Sequence, residues 1–424
     1  MSFKHILAVL IVVSIALTTA QAVDISSCTN LTTASTTYNL ITDLNLTQSG
    51  LNFCVKINNT GITLDCGGHR LYGNYSNFGS GDPNSQTGIY INRTSNIVIT
   101  NCVIDDYEGA GILGDYVNNS NITNNVINRT DNGVLLWTSH GNLIQNNTIF
   151  DVDSNGIMIG RSLLADPSAK NNIINLNLIK DAWDSGGACI SSIDTTNNTK
   201  IWNNTCYNLS YAITVADSNY ADVRNNNVTT VEWDAFALYR SNYVNIINNT
   251  LYDIGSAYLD ISNSNTNNVI TNLVLHNSSS NISFSGDLYM QSATDPGTPN
   301  SSYASIGKFF EITNSTDAWM SINLSYADSE ISGISDESQI VWWKYTNGVG
   351  WTYDIGSTNA VDTANNVVYA NISNFSSSFL PLGPVSGPSG PSGGVPEFSD
   401  FAWVLAAVLG AGSLLLIKRT RKGF

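Results

Sequence analysis

Ile122-Thr123-Asn124-Asn125-Val126-Ile127 and Ile144-Gln145-Asn146-Asn147-Thr148-Ile149 are one phrase written twice: apolar-x-x-Asn-x-apolar. The phrase recurs at Val98–Val103, Ile174–Ile179, Ile201–Cys206, Val223–Val228, Ile246–Leu251 and Val269–Val274. Its Asn falls at Asn101, Asn125, Asn147, Asn177, Asn204, Asn226, Asn249 and Asn272, at intervals of 24, 22, 30, 27, 22, 23 and 23 residues. A second landmark keeps the same beat. A small residue precedes an apolar one at Gly111, Gly133, Gly156, Ala188, Ala212, Ala235 and Ala257. Two landmarks in phase over seven units define a repeat.

The unit is too short and too rich in β-branched residues for a helical repeat. A strand phrase, a turn, a second strand phrase and a loop make one coil of a right-handed parallel β-helix. Coils stack at about 4.8 Å, so roughly ten of them between Gly61 and Gly286 predict a rod near 50 Å long. Stacking puts each position over its equivalent in the next coil. The eight Asn then form an inward ladder bonded side chain to side chain. An isolated buried Asn would instead cost about 1–3 kcal/mol. The interval of 30 marks a loop around Leu163 to Pro167, and Trp183 to Gly187 marks a smaller one.

Outward from the repeats, Gly61 to Gly73 opens the stack, and residues 23–60 read as an N-terminal cap. This opening phrase and the Asn-rich repeats resemble the NosD-like family of parallel β-helix proteins, a group rich in archaeal surface proteins. The resemblance covers about residues 28–290, and it implies the fold far more than any activity. Some relatives serve copper-site assembly. That role wants clustered Met, His or Cys, and the four His of this chain (His5, His69, His140, His276) are scattered.

After the β-helix (61–290), residues 303–380 lose the beat. Met320, Ile322, Leu324 and Tyr326 alternate with polar residues. Val341 to Thr346 runs through Asn347-Gly348 into Trp351, a hairpin signal. These features predict a small antiparallel β-sandwich whose Trp residues pack its core. It resembles the β domains that precede membrane anchors in archaeal surface proteins. Residues 381–395 are Pro/Gly/Ser-rich and predict a stalk.

The two ends predict apolar helices. Lys4, the apolar run Ile6–Leu17 and Ala20-Gln21-Ala22 read as a signal peptide over 1–22, hence export. Residues 396–424 hold an uncharged run from Phe401 to Ile417, followed by Lys418, Arg419, Arg421 and Lys422. That pattern is a membrane anchor with its basic side inward. Pro396-Glu397-Phe398 before it resembles the PEF-type archaeal sorting signal. The resemblance implies a transpeptidase that cuts there and substitutes a lipid.

Between the ends, residues 23–400 carry 12 basic and 33 acidic residues, a formal charge of −21. Nucleic acid is excluded as a partner, since phosphate binding needs a basic face. Export permits disulfides among the six Cys. Cys66 and Cys102 share a register, and neighbouring coils would bring them within bonding range. A coil segment at Gly88–Asn92 would intervene, which leaves that pairing open. Cys28–Cys54 is its companion at the cap. Cys189 and Cys206 read as small core residues. Sequons at Asn30, Asn45, Asn128, Asn208 and Asn371, among others, suit a glycoprotein. Those at Asn146, Asn203 and Asn248 adjoin the ladder and need not be accessible.

Chemistry would sit in the turn before the Gly/Ala column, which carries a stripe of acids. Asp131, Asp153, Asp184 and Asp234 are the candidate catalytic carboxylates. Asp105, Asp106 and Glu108 are a candidate calcium set. Trp183 and Trp233 are candidate ligand platforms. Paired carboxylates at about 5–10 Å suit glycoside hydrolysis. A lyase would add calcium and a basic residue. Asp is also a common turn residue in its own right. The favoured reading is therefore a cell-surface rod that is structural or binds carbohydrate, with no required cofactor. Its partners would be envelope glycans or neighbouring surface proteins. An anchored polysaccharide lyase or glycoside hydrolase is the alternative.

Overall fold

The computed structural model describes residues 22–386, apart from 47–51, 74–85, 162–166, 183–185, 195, 263–266, 276–279, 286–287, 293–305, 307, 309, 315–318, 347–349, 353–354, 356–357 and 374–379. The signal peptide, the apolar C-terminal segment and Pro396-Glu397-Phe398 lie outside the described residues, as do Trp183 and Asp184. Among the described residues, no helix is long and apolar enough to cross a membrane.

The chain winds as a parallel β-helix of about nine turns, all-β as its repeat predicts. Three sheets form its faces. The first includes Thr63–Asp65, Val98–Thr100, Asn121–Thr123 and their equivalents down to Asn245–Ile247. The second includes Thr148–Val152, Leu178–Ala182 and Thr205–Leu209. The third includes Ile157–Gly160, Ala188–Ser192, Tyr211–Ala216, Phe236–Tyr239 and Ala257–Ser262. Parallel pairing already begins at Val23–Ile25 against Tyr38–Leu40. Residues 23–60, expected as a cap, are thus turns of the helix itself.

The core is a stack of aliphatic columns. Ile104, Ile127, Ile149, Ile179, Cys206, Val228 and Leu251 follow one another inward, each at most 1% exposed. At the corner between the first and second sheets runs the Asn ladder. Asn125 Oδ1 accepts from the Cys102 N–H, and from Asn147 onward each amide oxygen accepts both from the backbone N–H and from the Nδ2 of the Asn one turn earlier. Asn125, Asn147, Asn177, Asn204, Asn226 and Asn249 are joined this way at 2.9–3.0 Å.

Asn101 and Asn272 are not in this ladder. Ile99 pairs with Ile122, so Cys102 stands over Asn125 and Asn101 beside Asn124. Likewise Asn272 lies beside Asn248, and Leu273 continues the column. Both phrases begin with two apolar residues, Val98-Ile99 and Val269-Ile270, and the second of each faces inward. A second inward Asn contact, Asn142 to Asn172 at 3.0 Å, lies at the other end of the first sheet.

Four corner columns hold left-handed backbone. One contains Asn101, Asn124, Asn146, Leu176, Asn203, Asn225, Asn248 and Asn272, with φ between 54° and 59°. Asn and Asp tolerate this conformation better than other non-glycine residues. Of the described non-glycine residues with positive φ, 14 are Asn. The Asn-rich composition therefore reflects turns as well as the ladder. Asn146, Asn203 and Asn248, which adjoin the ladder in the sequence, are exposed.

Disulfides join Cys28–Cys54 and Cys66–Cys102, with Cα atoms 4.4 and 4.7 Å apart. Cys189 and Cys206 form a third, at 5.8 Å, instead of standing as separate core residues. The register explains the difference. Ala188 aligns with Tyr211, so Cys189 takes the inward small-residue position and faces Cys206 across the coil.

The open end of the stack is closed by antiparallel strands. Val269–Leu275 is continued by Ser280–Ser285, Trp319–Ser325, Val367–Ser373 and Thr358–Asp362. Ala257–Ser262 is continued by Leu288–Ser292, Phe310–Asn314, Leu380–Ser386 and Ile340–Thr346, the last closing the expected hairpin with Gly350–Thr352. The antiparallel region thus begins near Ser280 and not at 303. Leu380–Ser386, expected to open the stalk, is a strand, because proline's fixed φ is compatible with extended backbone. Trp342 is fully buried between the two sheets, and its indole N–H donates to the Val368 carbonyl at 3.4 Å.

Candidate functional site: a groove on the third sheet

Outward positions on the third sheet form a column: Leu113, Leu135, Met158, Ser191, Thr214, Ala237 and Asp260. The side chains shorten at Ser191, Thr214 and Ala237. The surface sinks there into a shallow depression of about 340 Å³. Period-two alternation makes this possible, since the inward partners Ile190, Ile213 and Phe236 remain fully buried.

One wall is the corner before the sheet, where Asn132, Asn155, Ala188, Tyr211, Asp234 and Ala257 align. A polar relay runs along its upper part. Ser191 Oγ donates to Asn155 Oδ1 at 2.8 Å, Asn155 Nδ2 donates to Asn132 Oδ1 at 3.2 Å, and Asn132 Nδ2 donates to Asp131 Oδ2 at 2.7 Å. Further along, Tyr211 packs on Trp233, with ring centroids 5.5 Å apart. Trp233 keeps 48% of its surface exposed.

Asp234 Oδ1 accepts from the Ala257 N–H at 3.1 Å. Burial raises the Asp234 pKa above the ordinary 3.8. The Asp260 charge adds to that, while the Ala257 and Ser256 hydrogen bonds oppose it. The Tyr211 phenol is also pushed up, by burial first and then by Asp234 and Asp260. The two carboxylates therefore act on the same corner of the groove.

The expected acidic stripe does not form one column. Asp131 and Asp234 both belong to the wall, but Asp131 precedes the Asn132–Asp234 column by one residue and joins it through Asn132. Asp153 is buried, with 8% of its surface exposed. A turn that varies in length between coils scatters acids that look periodic in the sequence. Tyr211, Ser191, Asn155 and Asp260 are not marked by the sequence motifs. Each is the outward neighbour of a position in the core repeat, and that is the only sequence signal they carry.

Asp105 and Asp106 face cations, in place of the expected calcium set with Glu108. Arg129 donates to Asp105 at 3.0 and 3.1 Å and to Asp106 at 2.7 Å, and Arg70 pairs with Asp105 as well. Two guanidinium groups occupy the oxygens a cation would need. Among the described residues, no group of three or more His, Cys, Asp or Glu is placed to hold a metal ion.

The family described as "Periplasmic copper-binding protein (NosD)" matches residues 24–211. The matched span and the parallel β-helix fit a NosD-like protein. A copper site does not fit the donors described. All six cysteines are in disulfides. His69 and His140 sit at different corners, and Met290 and Met320 are buried in the antiparallel region. No curated protein matches the chain.

Among solved structures, the Dettilon tailspike protein is similar at 13% identity and TM-score 0.44, covering 86% of each chain. The catalytic unit of an α-1,3-glucanase from Streptomyces thermodiastaticus is similar at 13% identity and TM-score 0.46, covering 59% of this chain and 57% of its own. A periplasmic alginate epimerase is similar at 14% identity and TM-score 0.41, covering 57% of this chain and 68% of its own.

Proposed function

We propose that this chain is an exported cell-surface β-helix protein that holds carbohydrate in the groove of its third sheet. The observation that carries the reading is the pairing of Tyr211 and Trp233 beside a floor of short side chains, Ser191, Thr214 and Ala237. Aromatic faces pack against the apolar faces of sugar rings, and hydroxyl and amide groups fix orientation. Ser191, Thr214 and Asn155 supply those polar groups. The sequence of the two ends supports export and retention at the membrane, with Pro396-Glu397-Phe398 as the point where a sorting transpeptidase would act. The periplasmic description of the matched family supports export as well.

A second reading, glycoside hydrolysis, is favoured by one observation. Asp234 is a carboxyl group whose proton is held more tightly than usual, with the Asp260 charge nearby. That is the environment of a general acid.

One pair of measurements tests both. On a glycan array the exported chain should bind a defined subset of glycans, and Trp233→Ala should lose most of that signal. Incubation with the bound glycans should release no reducing sugar if the protein only binds. Turnover that Asp234→Asn abolishes, with binding intact, would replace the binding reading by the catalytic one. An array without signal rejects both.

A further inference from the structure

The groove has a definite electrostatic sign. Its wall column carries one charged residue, Asp234, with Asp131 joined to it through Asn132. Its floor column carries Asp260 where it ends. The opposite corner, where the chain leaves the third sheet, aligns Arg161, Asp194, Asp217 and Arg240, two cations with two acids. There Arg240 donates to Asp217 at 2.5 Å and lies over the Tyr239 ring. Lys56 belongs to the same outward column as the floor, five turns from Ser191, and lies against Phe53 and Tyr90. The lining itself is uncharged, and the charged residues that border it on the wall and at the end of the floor are acidic, in a body that is itself at −21.

We infer that the groove takes glycans without carboxylate, sulfate or phosphate groups. The inference rests on the carbohydrate-binding reading and narrows its ligand class. Like charges face to face oppose binding, and a concave, partly desolvated site weakens the screening that would hide them. An uncharged chain pays no such penalty. It can lie along the rod with one ring against Tyr211 and Trp233 and its hydroxyls on Ser191, Thr214 and Asn155. The raised Tyr211 phenol agrees, because the fields of Asp234 and Asp260 meet at the ring that would carry the sugar.

Affinity electrophoresis of the exported chain tests this. Gels would contain dextran, a β-1,3-glucan or mannan on one side, and alginate or polygalacturonate on the other. Each would be run in EDTA and in millimolar calcium. The expected result is retardation by at least one uncharged polymer, about tenfold weaker for Trp233→Ala, and none by the polyuronates. Trp233 is half exposed, so its replacement leaves the fold intact. The double variant Asp234→Asn with Asp260→Asn should gain retardation by the polyuronates. Retardation of the parent by alginate or polygalacturonate that Trp233→Ala removes would overturn the inference, with calcium or without it. In that case the carbohydrate-binding reading survives. Retardation by no polymer at all rejects that reading together with the inference.

Discussion

Adjacent Asn residues in one phrase do opposite jobs. Asn147 is buried and fully bonded. Its oxygen accepts from Asn125, and its Nδ2 donates to Asn177 and to the Ile122 carbonyl. Asn146 is exposed in left-handed backbone, and its Nδ2 bonds only to Asn124. Asn147→Ala strands several buried partners and should cost about 3 kcal/mol. Asn146→Gly should stay within about 0.5 kcal/mol, since glycine accepts the same φ. Urea midpoints for the two variants check this, and equal losses would refute the assignment. The Asn-Asn-Thr sequons follow from the same division of labour: a turn Asn, a ladder Asn and an outward Thr. The ladder was legible from Asn125 to Asn249, where the first apolar residue of the phrase faces inward. It was misread at Asn101 and Asn272, where the second does, because periodicity alone cannot choose between adjacent apolar residues.

Asp234 gives a pH prediction at the same scale. Its folded pKa is raised, so its contribution to stability is present below the unfolded value of 3.8 and is lost as pH rises through the folded value. Asp234→Asn keeps an oxygen for the Ala257 N–H and removes the charge. The variant should be more stable than the parent at pH 7, with the difference gone below about pH 3.8. Thermal melts across that range measure it, and a variant less stable at pH 7 contradicts the sign.

At the scale of elements, the third disulfide joins two sheets within a single turn. Cys189 and Cys206 are 17 residues apart, and the bond encloses the edge of the groove floor. Replacing both by Ala should cost about 2–4 kcal/mol, as for a short closed loop. Melting the parent against the Cys189→Ala/Cys206→Ala variant tests it, and an unchanged midpoint would contradict it. The strand order was readable because each repeat phrase is a strand with a fixed inward face. The groove was not, because outward positions obey no packing rule. Ser191 and Thr214 look like any other outward polar position to a reading of hydrophobic period, yet their small size shapes the depression.

The whole molecule manages its two ends differently. At the start of the stack, Cys28–Cys54 and Cys66–Cys102 tie early turns together. At the other end, antiparallel strands cover the edges of Ala257–Ser262 and Val269–Leu275. Uncovered edges of this kind pair with other chains. A chain ending at Leu275 should therefore self-associate, seen as a rise in mass by light scattering, while the full chain does not. A truncated chain that stays monomeric would show that the added strands serve another purpose.

The ladder is indifferent to how much chain separates its members. Asn147 and Asn177 are 30 residues apart, Asn204 and Asn226 are 22, and both pairs bond at 3.0 Å. The extra residues fall in the sequence between Gly160, paired with Trp137, and Lys170, paired with His140, while the rungs above and below keep their phase. That stretch behaves as a mounting bracket. Foreign peptide spliced there should leave the scaffold's melting point unmoved, so variation can accumulate between these two pairings without renegotiating the core.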